Sequence, residues 1–127
     1  MPNCFFCACS ANLMASKKTI KPKALSDSAL TMIAARFRAL SEPVRLRLLN
    51  TLMQGDRSVT QLVEASGTGQ ANVSKHLSVL REAGMVSMRR DGLLTMCSIA
   101  DPAIVQLCDI MCARLKAEHE ERAKALL

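Results

Sequence analysis

A chain of 127 residues, 50% of them hydrophobic, is long enough to bury one core and short for two. Half the residues being apolar argues against a disordered polymer, and no charge-free apolar run reaches the about 18 residues of a membrane span, so a soluble globular domain is expected. The net charge of +6 fits an anionic partner, whereas 2% aromatic content, without Trp or Tyr, excludes the stacked aromatic platform of single-strand nucleic-acid binders.

Residues 1–27 read as a flexible N-terminal tail, and residues 28–127 as the folded domain. The tail begins apolar and cysteine-containing (NCFFCACSA), turns Lys and Pro rich (KKTIKPKA), and holds no sustained period. Met14 opens an alternative start, MASKKTIKPKALS, which would place Cys4, Cys7 and Cys9 outside the native protein. From Ser28 a helix is predicted over 28–39, with Leu30, Ile33, Ala34, Phe37 and Leu40 along one face. Ser41-Glu42-Pro43 supplies a cap, an acid and a first-turn proline, so a second helix follows over 42–54, ending before Gly55. Ser58 caps a short third helix, Val59 to Ala65, and Ser66-Gly67-Thr68-Gly69 breaks the chain.

Residues 70–83 form the fourth helix, with Val73, Leu77 and Leu80 on one stripe and a stop at Gly84. Its other face presents Gln70, Asn72, Ser74, Lys75, Ser78 and Arg81, all able to hydrogen-bond and none acidic. Met85 to Arg90 and Leu93 to Ile99 flank Asp91-Gly92, a strong hairpin signal. Asp101-Pro102 then opens a last helix, 102–125, carrying Ile104, Cys108, Met111, Cys112 and Leu115. The fold class is mainly α with a small β hairpin.

Charge divides along the same lines. Residues 1–100 hold 13 Lys/Arg against 6 Asp/Glu, a balance of +7, and residues 101–127 hold 4 against 5, a balance of -1. Two helices joined by a short Gly-containing turn, the second with an acid-free polar face, make a helix-turn-helix; a basic hairpin after it makes the winged form. Gln and Asn can exchange paired hydrogen bonds with adenine in the major groove, Ser and Lys reach bases or phosphates, and Arg89 and Arg90 at the hairpin meet backbone or minor groove. A solvated helix face and an ordinary surface hairpin remain the bland alternative. Arg45 and Arg47, flanking the second apolar stripe, are expected as fold-internal ion pairs.

The stretches RFRALSEPVRLRLLNTLMQGDRSVTQLVEA and GQANVSKHLSVLREAGMVSMRRDGLLTMCSIAD resemble the ArsR/SmtB family of winged-helix repressors over about residues 29–115. The resemblance implies a homodimer joined through the first and last helices, bound to a palindromic double-stranded operator and released when an inducer docks. It also implies DNA contacts from Gln70, Ser74 and His76, with Lys75 as a phosphate partner; His76 could equally be packed beside Leu77 and hold the turn.

Two metal sites that the resemblance offers are absent. The cysteine cluster of the form ELCVCDL falls on SVTQLVEA, and of the Asp/His site only Asp101 matches, the other positions being Ala103, Arg114 and Ala117. What stands in their place is Cys108 and Cys112, an i, i+4 pair with β-carbons about 5–6 Å apart on one helix face, with Cys97 as third candidate. Thiols without His or carboxylate favour trivalent arsenic or antimony over zinc or cadmium. Cys4, Cys7, Cys9 and His119 are weaker ligand candidates, and buried cysteines in a helix interface are the plain alternative.

Two further readings stand beside the metalloid-released repressor: a redox or persulfide switch on the same fold, and a thiol-rich metal-binding module that does not bind DNA. A disulfide between thiols on adjacent turns would need local unwinding. With no nucleophile beside an oriented base, no phosphate loop and no carboxylate pair, no enzyme activity, cofactor or enzyme substrate is expected. The residues from Met1 to Met14 lack a basic leader region, so reduced thiols and a cytoplasmic location, away from any membrane, are expected.

Overall fold

A computed structural model describes residues 23–125; Cys4, Cys7 and Cys9 lie outside the described residues. The chain divides into two compact units, one covering the described residues through Asp101 and the other containing the last helix.

In the first unit the elements run α1 (Asp27–Leu40), α2 (Pro43–Leu52), β1 (Arg57–Ser58), α3 (Val59–Ser66), α4 (Gln70–Glu82), β2 (Val86–Asp91) and β3 (Leu94–Ile99). Ser26 starts α1 by accepting from the Ala29 amide at 3.2 Å. At its end Ser41 turns the chain, donating its own amide and hydroxyl to the Arg38 carbonyl at 3.3 and 2.9 Å. The cap of α2 is therefore Glu42, one residue later than Ser41: its carboxylate accepts from the amides of Val44 and Arg45 at 2.9 and 3.3 Å. An acidic cap also suits the positive end of the helix dipole. Ser58 and Gln61 form a reciprocal capping box on α3, at 3.2 and 2.9 Å.

The exit of α4 is a Schellman turn. Gly84 takes φ +75°, its amide bonds the Arg81 carbonyl at 3.0 Å, and the Met85 amide reaches the Leu80 carbonyl at 3.0 Å. That reversal sends the chain directly into the hairpin. Its last pair is Asp91 with Leu94, so the two-residue loop is Gly92-Leu93, one residue beyond the expected Asp91-Gly92. Gly92 supplies the positive φ, +61°, at the first loop position, as a type II′ turn requires.

The hairpin is joined by a strand that local sequence does not announce. β1 pairs antiparallel with β3, Arg57 opposite Cys97 and Ser58 opposite Met96, giving the order β1-β3-β2 with β3 in the middle. Against this sheet the helices bury Leu48, Leu49, Leu52, Leu62, Val73, Leu77, Leu80, Met85 and Cys97. The expected stripe of α4 is the spine of that core.

The second unit contains α5 (Ala103–Ala125), a helix of 23 residues with basic Arg122 and Lys124 in its last turn. Ile104 and Asp109 are buried, whereas Ile110, Met111 and Leu115 are 50–60% exposed. Among the described residues no helix is long and apolar enough to cross a membrane.

Candidate functional site

The packed stripe of α4 turns its polar face outward. Gln70, Asn72, Ser74, Lys75 and Ser78 are all exposed. The Asn72 amide donates to the Thr68 hydroxyl at 2.9 Å, tying the first turn of α4 to the preceding loop and leaving its carbonyl oxygen able to accept. Ser78 donates back to the Ser74 carbonyl at 3.0 Å, so its proton is engaged within the helix. Gly69 caps α4 with no side-chain hydrogen bond, which leaves first-turn amides to whatever lies in front of them.

Beside this face stands the hairpin. Arg89 and Arg90 are exposed, and Arg89 pairs with Asp56 at 3.0 Å, a surface contact that solvent weakens and an anion can replace. An open cleft of about 310 Å³ separates the start of α4 from the wing, lined by Thr60, Gln70, Ser74, Met88, Leu93 and Thr95 among others. Thr60 and Thr95 thus stand beside Gln70 and Ser74 in the lining of this cleft. Sequence reading missed both, although Thr60 follows the Ser58 cap by two positions and was placed in the third helix.

His76 faces the other way. Its side chain is 13% exposed, Nδ1 lies 3.2 Å from Arg45 Nη1, and Nε2 lies 3.7 Å from Glu42 Oε2. Both ring nitrogens are thus directed to α2, which favours the packed alternative over a base contact. Arg45 and Arg47 are structural, but not as the expected ion pairs. Arg45 donates to the carbonyls of Ala39 and Arg38, and Arg47 to the carbonyl of Ser66 at 2.8 Å. Guanidinium forks here satisfy helix-end carbonyls that have no partner within their own helix.

The described cysteines are Cys97, Cys108 and Cys112. Cys97, on the central strand β3, is sealed in the core at 0% exposure, whereas its strand neighbours Met96 and Ser98 are only half-buried. Burial pushes its thiol up, away from the thiolate that binds soft ions. Cys108 and Cys112 are half-buried on α5. Burial, and then the neighbouring Asp109 charge, raise the Cys108 thiol as well. Asp109 itself is 4% exposed, its Oδ1 has no hydrogen-bond partner, and burial raises its carboxyl. His119 is exposed near the end of α5. Asp101 pairs with Arg36 at 3.1 Å. Among the described residues no three His, Cys, Asp or Glu side chains come together as a metal-holding group, and the expected third ligand, Cys97, is closed off by its own unit.

Helix, turn, helix with an acid-free outer face, followed by a three-stranded wing, define a winged helix-turn-helix protein. The profile of the family described as "Bacterial regulatory protein, arsR family" matches residues 42–88, from the cap of α2 into the wing. The probable mercury resistance operon repressor of Streptomyces lividans is 44% identical over 87 residues, 68% of this chain and 68% of its own length. Among solved structures, the crystal structure of M. tuberculosis Rv0081 superposes with TM-score 0.71 at 36% identity, covering 77% of this chain and 99% of that one. The homodimeric winged helix-turn-helix DNA-binding domain of Mb0332 from Mycobacterium bovis does so with TM-score 0.65 at 29% identity, covering 80% and 95%. The chain belongs to the ArsR/SmtB family.

Proposed function

We propose that this protein is a DNA-binding transcriptional repressor that leaves its operator when a thiophilic ion is captured on α5. The observation that carries the DNA half is the exposed face of α4, where Gln70, Asn72, Ser74, Lys75 and Ser78 stand without a carboxylate among them, beside the basic wing. Such a face offers donors and acceptors to base edges and a cation to phosphate, and repels nothing on the duplex. It acts as a homodimer in the cytoplasm. Leu30 and Phe37 of α1 in one unit, and Met111 and Leu115 of α5 in the other, are each at least 50% exposed, apolar side chains on each unit that a second copy would cover. Two copies related by a twofold axis would read a palindromic operator.

For the sensing half, Cys108 and Cys112 stand one helical turn apart and half-buried, reachable by a small solute. Trivalent arsenic or antimony replaces its oxygens with thiolate sulfurs and favours three of them; with Cys97 sealed, the third would come from the other subunit or the tail cysteines. One observation favours a second inducer of the same chemical class. Two accessible thiols are enough for mercuric ion, which is satisfied by two sulfurs, and the similar Streptomyces protein carries mercury resistance in its name. Capture need only separate two dimer states by a few kcal/mol to change operator occupancy.

The test is a release assay on a duplex that the wild-type protein selects from a random pool. Arsenite, antimonite or mercuric ion should release the wild type, while zinc, cadmium and peroxide at equal concentration should not. The Cys108→Ser/Cys112→Ser double variant should stay bound. Release that survives loss of both thiols would remove α5 as the sensor, and release by peroxide alone would replace metalloid capture with a redox switch.

A further inference from the structure

We propose that Arg45 is a positioning residue for DNA reading: it clasps the end of α1 to His76 of α4 and so fixes the rotation at which α4 presents its polar face. The inference rests on the DNA-binding reading above and adds a residue that touches no DNA.

The guanidinium spends its donors in three directions. Nε donates to the Ala39 carbonyl, Nη2 to the Arg38 carbonyl at 3.1 Å, and Nη1 reaches His76 Nδ1 at 3.2 Å. The first two acceptors are terminal carbonyls of α1, and the third belongs to the middle of α4. Because Arg45 can only donate, Nδ1 accepts and the ring proton sits on Nε2, facing Glu42 Oε2 at 3.7 Å. Glu42 in turn is held by the amides of Val44 and Arg45. The imidazole is therefore held at Nδ1 by Arg45, with Nε2 turned toward the Glu42 carboxylate that caps the same helix, and that turn of α2 is stapled to the end of α1.

The apolar packing of α4 sets which side faces the core but constrains its roll less sharply than a hydrogen bond does. Val73, Leu77 and Leu80 are fully buried, but apolar contact is non-directional and tolerates a small roll of the helix about its axis. A hydrogen bond does not, since it weakens steeply away from its preferred angle. His76 lies between Lys75 and Leu77, between the polar face and the core stripe, so fixing its ring fixes where Ser74 and Lys75 point. Base reading demands side chains held within about 0.5 Å of productive geometry. The clasp supplies that constraint and ties it to α1, whose exposed Leu30 and Phe37 belong to the surface proposed for the second copy.

Three single variants and one double variant test the clasp: Arg45→Met, which keeps the aliphatic stem and removes the donors; His76→Leu, which removes the acceptor; His76→Asn, whose amide oxygen can stand where Nδ1 stood; and Arg45→Met/His76→Leu. Folding is followed by circular dichroism and thermal melting, and binding is measured to the wild-type-selected duplex and to a random duplex across a salt series. Arg45→Met should weaken the selected duplex about tenfold while random-duplex affinity moves by less than about twofold and the salt slope stays constant, since no phosphate contact is lost. His76→Leu should do the same, the double variant should cost no more than either single change, and His76→Asn should recover most of the affinity. Unchanged preference for the selected duplex in folded Arg45→Met and His76→Leu overturns the clasp. An equal loss on both duplexes with a salt slope shallower by about 1 would make Arg45 a phosphate contact instead. If the wild type prefers no duplex at all, the DNA-binding reading itself fails.

Discussion

Helices α4 and α5 carry similar apolar stripes that meet different fates. On α4 the stripe of Val73, Leu77 and Leu80 is completely sealed, whereas on α5 Met111 and Leu115 are 55% and 60% exposed. A helical period says which side chains stand together and leaves open what covers them. The cover of α4 comes from its own unit, through α2, α3 and the sheet. Its apolar side is thereby spent on folding, and only the polar side remains for a partner. On α5 much of the apolar side is still on offer, with Cys108 and Cys112 half-buried on the same helix. One helix is built to present a polar face rigidly, and the other to be completed by something else.

The sharpest way to break this contrast is to truncate one residue from each stripe. Leu77→Ala should cost about 2–5 kcal/mol in urea unfolding, since it opens a cavity in a sealed core. Leu115→Ala should cost within about 0.5 kcal/mol in the dilute protein. Leu115→Glu should leave the fold intact and shift sedimentation toward the monomer, because a carboxylate cannot be buried at a helix interface without a partner. Equal unfolding costs for the two alanine variants would erase the distinction between the helices.

The next effect belongs to the polar side of α4. Gln70→Ala and Ser74→Ala should leave the melting temperature where it is and weaken the selected duplex, by about 1–3 kcal/mol where a paired base contact is lost. Arg89→Ala should weaken selected and random duplexes alike and reduce the salt slope by about 1, the mark of a phosphate contact. Duplex affinities and salt slopes decide both. A melting temperature that falls along with affinity in Gln70→Ala would mean that this face is structural.

Much of the first unit was legible because its signals are local and redundant. The stripe of α4, Gly84 at its exit and Ser58 before α3 each act within a few residues of their own position, and the Schellman turn and capping box are their direct consequence. What escaped depends on distant partners. β1 is two residues long, too short to show a period, and exists because β3 offers it an edge. That unannounced pairing makes β3 central, and Cys97 on it is core where its place in the second wing strand had made it the third ligand candidate. Arg45 and Arg47 carried no sign that their acceptors would be carbonyls at the ends of other helices rather than carboxylates. The face of α4 could be read as a set of residues, whereas for His76 the sequence left a DNA contact and a packed role equally open, and Arg45 and Glu42 around its ring favour the packed one.

The smallest expected effect concerns the one carboxylate that α5 buries. Asp109 is 4% exposed with Oδ1 unpartnered, and burial lifts its carboxyl above the ordinary range. In the unfolded chain the group loses its proton near pH 4, while the folded chain retains it to higher pH. The folded state therefore binds more protons in that interval, and stability declines as pH rises from the ordinary carboxylate range through the raised value. Above that value the penalty is constant. Asp109→Asn should accordingly melt a few degrees above the wild type at pH 7, and the gap should close as pH falls below about 4, where the wild-type carboxyl is neutral in both states. Thermal melts at a series of pH values check the sign. A variant that melts lower at pH 7 would show that the carboxylate is held by a favourable partner, and α5 would then present a satisfied charge beside Cys108 rather than a strained one.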